Sequence, residues 1–258
     1  MQSKNSPIAN ANLIKKLLVK ANKFNPDIIC LPECANIMTA DKSHLFKNST
    51  LQKDCPVLLE CIQFAKKYTR YISIGSLLLR KKNSYKLLNR SFFINRSGKI
   101  VNYYDKIHLF DVNINNKEIH RESQSFHKGN KVVCINSPWG KIGLTICYDI
   151  RFPDLYRNLT KQGAKIILVP AAFTVPTGKD HWEILLRSRA IENTSFIIGT
   201  GQCGKHHAGR TTYGYSMIIN PWGKIIARGF SKPKIINAII DMNDVKKARS
   251  RMPSIYHD

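Results

Sequence analysis

Three residues of this chain combine reactive side chains with neighbours suited to covalent catalysis: Cys147, Glu33 and Lys106. Cys147 ends the run Lys141-Ile142-Gly143-Leu144-Thr145-Ile146 and precedes Tyr148-Asp149-Ile150-Arg151-Phe152-Pro153, which leads into a helix. A strand that stops on a nucleophile before a sharp turn into a helix exposes that side chain at the rim of a sheet. The backbone N–H of Tyr148 would then point toward a bound carbonyl. Read alone, a cysteine in this place is equally a core thiol, because Cys is among the most buried residue types.

A thiol with a reference pKa of ~8.5 is mostly protonated near neutral pH and needs a base or a cation beside it. No Cys–His pair stands out. His108 and His181 are candidates, but a lone histidine is more often structural. Glu33 follows Ile28-Ile29-Cys30-Leu31-Pro32, and Lys106 follows Val101-Asn102-Tyr103-Tyr104-Asp105. In α/β sheets, reacting groups gather at the carboxyl ends of strands, and all three residues end strand-like runs. A partly buried carboxylate can take the thiol proton and pass it to a leaving amine. A lysine ammonium, joined by the Tyr148 N–H, can balance the oxyanion. Singly, Glu33 reads as a solvated acid at a strand end and Lys106 as a surface lysine. Together they suit attack on an amide carbonyl.

Other motifs are weaker. Gly199-Thr200-Gly201-Gln202-Cys203-Gly204 matches G-x-G-x-x-G after a strand, but the residues after Gly204 have no helical periodicity, and no acid appears before Asp241. Dinucleotide binding requires both. His206-His207 has no partner at ligand spacing, and there is no P-loop or HExxH. The seven cysteines include no CxxC, so neither a disulfide framework nor a zinc knuckle is expected. Cys30 and Cys34 read as buried or incidental thiols, and the set fits a reducing compartment.

The elements that must position the three residues alternate between helix and strand. Ser6-Pro7 reads as the cap and first position of a helix reaching about Phe24. Asp27 to Leu31 reads as a strand, Val57 to Tyr68 as a helix and Tyr71 to Leu79 as a strand. Two hairpins are expected, Ser91–Ile94 with Ile100–Tyr104 and Ser216–Asn220 with Ile225–Arg228, each turning on a Gly-Lys pair. Residues 109–130 read as a loop-rich stretch. A strand over Lys141–Cys147, a helix over Phe152–Gln162 and a strand over Lys165–Pro170 come next. After them come a helix over Trp182–Asn193 and strands over Ser195–Gly199 and Ala238–Asp241. This is an α/β pattern with mixed sheets. The twin hairpins suggest two similar sheets packed together, and no linker divides residues 1–258, so one domain is expected.

With 258 residues and 43% apolar content the chain can build a sizeable core. No apolar run approaches the ~18 residues of a membrane helix. The net charge is +24, from 41 Lys and Arg against 17 Asp and Glu. These basic residues are spread along the chain, without an RGG tract, zinc finger or RNP-like stripe, so no nucleic-acid partner is expected. A positive field suits an anionic small-molecule substrate. No secretory signal is present, and a cytoplasmic location is expected. Five N-x-S/T sequons, Asn89 among them, are what an asparagine-rich chain gives by chance.

With these residues in view, the chain resembles the nitrilase superfamily of carbon–nitrogen hydrolases. The resemblance is carried by LPE at 31–33, YDKIHLFD at 104–111, RES at 121–123, CYDIRFPDLYR at 147–157, PAAF at 170–173, TGKDHWEILLRSRAIEN at 177–193 and YGYSMIINPWGKIIA at 213–227. It implies an αββα four-layer sandwich of two mixed β-sheets flanked by helices, assembled as a homodimer or larger oligomer. It also implies a thioester on Cys147, with Glu33 as general base and Lys106 with the Tyr148 amide at the oxyanion. Glu122 matches a fourth carboxylate that helps position Lys106, substrate or water. Tyr148, Phe173, Thr174, Thr177 and His181 would border the substrate, and the chemistry requires no metal or other cofactor. GTGQCGKHHAGRTTYGYS at 199–216 resembles the deaminated glutathione amidase branch, with omega-amidase as the alternative. A non-catalytic basic binding protein on the same fold is the reading from another class. Relatives open with a β-strand before the stretch matching Gln2-Ser3-Lys4, so a missing or truncated first strand is expected at the N-terminus.

Overall fold

The computed structural model describes residues 1–115 and 118–257. The chain divides into two compact units. One comprises Ser3–Lys131 with His206–Arg210, and the other comprises Met1–Gln2, Val132–Lys205 and Thr211–Asp258.

The first unit opens with helix α1 (Pro7–Asn22), whose Ser6 hydroxyl accepts the Ala9 N–H and whose Ile14 and Leu18 are fully buried. Strand β1 (Ile28–Cys30) follows, then α2 (Lys42–Asn48) and α3 (Pro56–Tyr68). Strands β2 (Tyr71–Arg80), β3 (Leu87–Ile94) and β4 (Ile100–Asp105) complete a sheet in the order β1-β2-β3-β4, parallel only between β1 and β2. The stretch 109–130, expected as loop, contains a further antiparallel pair, β5 (Asp111–Asn115) and β6 (Glu118–Arg121). Val112, Ile114 and Ile119 alternate with polar residues, a period-2 strand signal too short to stand out in the sequence.

The second unit holds β7 (Val133–Ser137), β8 (Gly140–Leu144), α4 (Pro153–Lys161), β9 (Ala164–Ala171), a single turn α5 (Val175–Thr177) and α6 (Glu183–Glu192). Next come β10 (Phe196–Gly201), β11 (Cys203–Lys205), β12 (Thr211–Tyr213), β13 (Met217–Ile219), β14 (Ile225–Arg228) and α7 (Asn243–Arg251). Its main sheet runs β14-β13-β10-β9-β8-β7, with β8, β9 and β10 mutually parallel. The parallel strands are nearly continuous apolar runs, as strands covered on both faces must be.

The mixed α/β class expected from the sequence is the one observed. Both Gly-Lys hairpins use one device: Asn95 Oδ1 accepts the N–H groups of Ser97 and Lys99, and Asn220 Oδ1 accepts those of Trp222 and Lys224. Gly98 and Gly223 adopt φ of +80° and +78°, which a side chain would strain. The strand expected over Ala238–Asp241 is not formed; Ile239 there is 99% exposed, and a short apolar run with no strand paired to it among the described residues buries little. The G-x-G-x-x-G run lies in β10 and β11. Its Gly201 is required because a Cβ would overlap the Gly214 carbonyl oxygen. Among the described residues no helix is long and apolar enough to cross a membrane.

Candidate active site

In the first unit, β1 delivers Glu33. Leu31 N–H continues the ladder to the Ser73 carbonyl, and Pro32 then ends the strand. The turn is seated on an irregularity of β2, where the register with β3 shifts between Ile74 and Leu77. Ser76 lies within that shift. Its hydroxyl accepts the Cys34 N–H at 3.0 Å, and its carbonyl accepts the Ala35 N–H at 2.9 Å. Cys34 takes a φ of +55°, a left-handed conformation that these bonds must hold. The Asn36 amide then pairs with both backbone groups of Leu78. Glu33 is left 3% exposed.

Lys106 follows β4 and is 2% exposed. Its ammonium donates to Glu33 Oε1 at 3.1 Å and to Glu122 Oε1 and Oε2 at 3.1 and 2.9 Å. Glu122 sits in a 3-10 turn after β6, and its Oε2 also accepts the Phe110 N–H at 2.6 Å. Such a buried cation stays ionised only when its desolvation is offset by this many charge-assisted bonds.

Asn89, in β3, joins the cluster without a signal in the sequence beyond its chance sequon. Its Nδ2 donates to Glu33 Oε1 at 2.9 Å and to Glu122 Oε1 at 3.2 Å. Outside the cluster, Arg90 grips Asp105 through two bonds of 2.7 and 2.8 Å and covers the Tyr103 ring at 3.8 Å. This fixes the end of β4 from which Lys106 departs.

In the second unit, β8 ends at Leu144, three residues before the cysteine. Thr145 prolongs the alignment by donating its N–H to the Leu168 carbonyl. Cys147 opens a 3-10 turn, Cys147–Arg151, with a φ of +50° and 8% exposure. The Asp149 carboxylate closes the turn by accepting the Ile146 N–H at 2.8 Å. Arg189 of α6, 6% exposed, donates to the Ile150 carbonyl at 2.8 Å. Beneath the turn, Tyr156 bonds Thr145 at 3.1 Å, and burial pushes its phenol pKa up. The Cys147 turn is therefore braced on several sides, as a strained backbone requires.

The other expected substrate-binding residues lie in this unit. The Arg151 guanidinium donates to His181 Nδ1 at 3.1 Å and lies 6.0 Å from the Tyr148 ring and 5.5 Å from the Phe173 ring. Thr174 and Thr177 share a hydroxyl bond of 2.8 Å. Phe173 packs on Trp182 at 4.9 Å. His181 is thus engaged by Arg151, a residue whose role nothing in the local sequence marks. The structure brings Glu33, Lys106 and Glu122 together in one unit. In the other it gathers Tyr148, Phe173 and His181 around the guanidinium of the Cys147 turn.

The carbon-nitrogen hydrolase family model matches residues 1–250. The chain belongs to the carbon–nitrogen hydrolase family and is a hydrolase of the amidase type. A Yersinia enterocolitica protein named deaminated glutathione amidase is 39% identical over 233 residues, covering 86% of this chain and 81% of that protein. A Dictyostelium discoideum protein of the same name is 36% identical, covering 99% and 90%. The crystal structure of the Caenorhabditis elegans NitFhit protein matches with a TM-score of 0.93 at 32% identity, covering all of this chain and 63% of that one. The fold is that of the nitrilase superfamily.

Proposed function

We propose that the protein hydrolyses the amide of deaminated glutathione, giving 2-oxoglutarate and cysteinylglycine. The observation that supports this chemistry most directly is the buried Lys106 ammonium bonded to Glu33 and Glu122. The substrate assignment draws on the relatives that carry the name deaminated glutathione amidase.

In this reading the Cys147 thiol gives its proton to Glu33 as sulfur bonds to the amide carbon. The oxyanion is countered by Lys106 and the Tyr148 N–H. The C–N bond then breaks as Glu33 returns the proton to the leaving nitrogen, and a thioester remains. Water next gives a proton to Glu33 while its oxygen attacks the thioester. The acid departs, and the proton restores the thiol. Glu122 holds Lys106 throughout. Tyr148, Phe173, Thr174, Thr177 and His181 border the substrate. The reading also includes a cytoplasmic enzyme with a small anionic substrate and no nucleic-acid partner, active as a homodimer. Exposed Ile184 and Ile191 of α6 and Trp222 of the neighbouring turn would lie in the dimer contact.

The test is release of 2-oxoglutarate and of ammonia from deaminated glutathione and from 2-oxoglutaramate, for the wild type and Cys147→Ala. 2-Oxoglutarate from the first substrate without ammonia, abolished in the variant, is expected. Turnover of 2-oxoglutaramate alone overturns the substrate in favour of an omega-amidase. Light scattering at half the expected dimer mass would overturn the assembly.

A further inference from the structure

We propose that Arg210 recognises a carboxylate on the leaving fragment of the substrate, which for the proposed reaction is the terminal carboxylate of cysteinylglycine. This rests on the amidase reading above and extends it to specificity.

Residues His206–Arg210 leave the strand pair β11–β12 and join the unit that carries Glu33. The His206 N–H closes this strap on the Arg210 carbonyl at 2.7 Å. Four contacts fasten it. His206 Nδ1 donates to the Ser3 carbonyl at 2.9 Å, and His207 Nδ1 lies 2.8 Å from the Thr39 hydroxyl. The Ala40 N–H donates to the His207 carbonyl at 3.3 Å, and the His207 ring packs on His44 at 5.0 Å. Thr39 and Ala40 close the segment that begins at Glu33, and Ser76 and Leu78 tie that segment to β2. The strap is therefore positioned relative to Glu33 through a short, bonded path.

Arg210 is half-buried, and among the described residues no hydrogen bond or ion pair holds its guanidinium. Unlike Lys106, it has no carboxylate partner among the described residues. It is nevertheless close enough to act electrostatically on the Cys34 thiol, as Glu33, Lys106 and Glu122 do. A guanidinium stays charged and offers a planar fork matched to a carboxylate. An unpaired one, held by a fastened strap, is ready for an anionic ligand.

The side it serves follows from the chemistry. Glu33 must stand beside the nitrogen that it protonates, so the leaving fragment lies toward Glu33. The strap is fastened to the residues that follow Glu33, which places Arg210 with the leaving fragment.

The test compares deaminated glutathione with its C-terminal glycinamide analogue, for the wild type, Arg210→Gln and Arg210→Lys. The wild type should prefer the acid by about 10- to 100-fold in kcat/KM, the size of a charge-assisted bond. The preference should collapse toward one in Arg210→Gln and return in part in Arg210→Lys. Turnover of the glycinamide reports a folded enzyme. A wild type indifferent to the C-terminal charge, or equal losses on both substrates in Arg210→Gln, overturns the inference. Calorimetric binding of cysteinylglycine reads Arg210 without turnover. Binding that weakens in Arg210→Gln while deaminated glutathione is not hydrolysed sinks the substrate reading and leaves the carboxylate site. Turnover with Arg210-independent binding does the reverse.

Discussion

The backbone carbonyl of Asn89 accepts the N–H of Lys106 at 3.0 Å, and the two side chains converge on the same oxygens, Oε1 of Glu33 and Oε1 of Glu122. One strand residue thus sets both the start of the lysine and the spacing of the carboxylates around its ammonium.

Asn89→Ala is accordingly expected to lower kcat by about 10- to 100-fold, as loss of bonds to charged groups does. KM should change little, because Asn89 donates to the carboxylates. Asn89→Asp should be worse, since it sets a third carboxylate against two others. The check is kcat per titrated active-site thiol together with the pH–rate profile. A purely structural role would lower the melting temperature and the fraction of active sites but leave kcat per site and the profile unmoved.

Gly129 carries a second prediction. Its N–H donates to the Lys106 carbonyl at 2.8 Å, and an added Cβ would overlap the Asp105 carbonyl oxygen. Backbone atoms cannot turn aside as a flexible side chain can, so Gly129→Ala must displace the end of β4. The expected result is a loss of about 1–3 kcal/mol of stability, typical of overpacking, with a fall in kcat. Denaturant melts and kinetics of Gly129→Ala check it, and wild-type values for both would contradict it.

Thiol labelling separates the cysteines. Burial pushes Cys30 up to about 12, raises Cys34 and Cys61 well above the ordinary thiol range, and raises Cys55. Only thiolates react at useful rates. With iodoacetamide near pH 8, these four should remain unmodified in the folded protein while Cys147 is alkylated and activity is lost in step. Peptide mass spectrometry reads this, and alkylation of Cys30 or Cys34 ahead of Cys147 would count against the assignment.

His206 predicts an acid limit to stability. Its Nδ1–H donates to Ser3, and burial, with Arg210 nearby, lowers its pKa below the usual 6.5. The unfolded chain therefore binds the proton more readily than the folded one. Stability from this group is fully present above 6.5 and is lost as pH falls from there toward the lowered folded value. The melting temperature should decline below about pH 6.5, and His206→Asn should flatten that decline. An identical pH dependence in the variant would refute the linkage.

The residues legible from sequence were those whose signal is local. Glu33, Lys106 and Cys147 each follow a run of strand-forming residues within one short window, and α1, α3, α4 and the twin hairpins announce themselves through caps, periodicity and turn residues. Asn89 had no such signal. Its partners lie 56 and 33 residues away, and an asparagine in a strand looks the same whether it faces solvent or two carboxylates. Arg151 and Arg210 were silent for the same reason, since charge in a turn is ordinary until its neighbours are known. A short apolar run also misled at Ala238–Asp241, which has no partner strand among the described residues, and the brief polar–apolar alternation of β5 and β6 was passed over. The sequence by itself therefore determined which chemical groups the chain presents at its strand ends. The pairing of distant strands decided which polar groups hold them, because hydrogen bonds to a buried charge are chosen by proximity in space and leave no periodic mark along the chain.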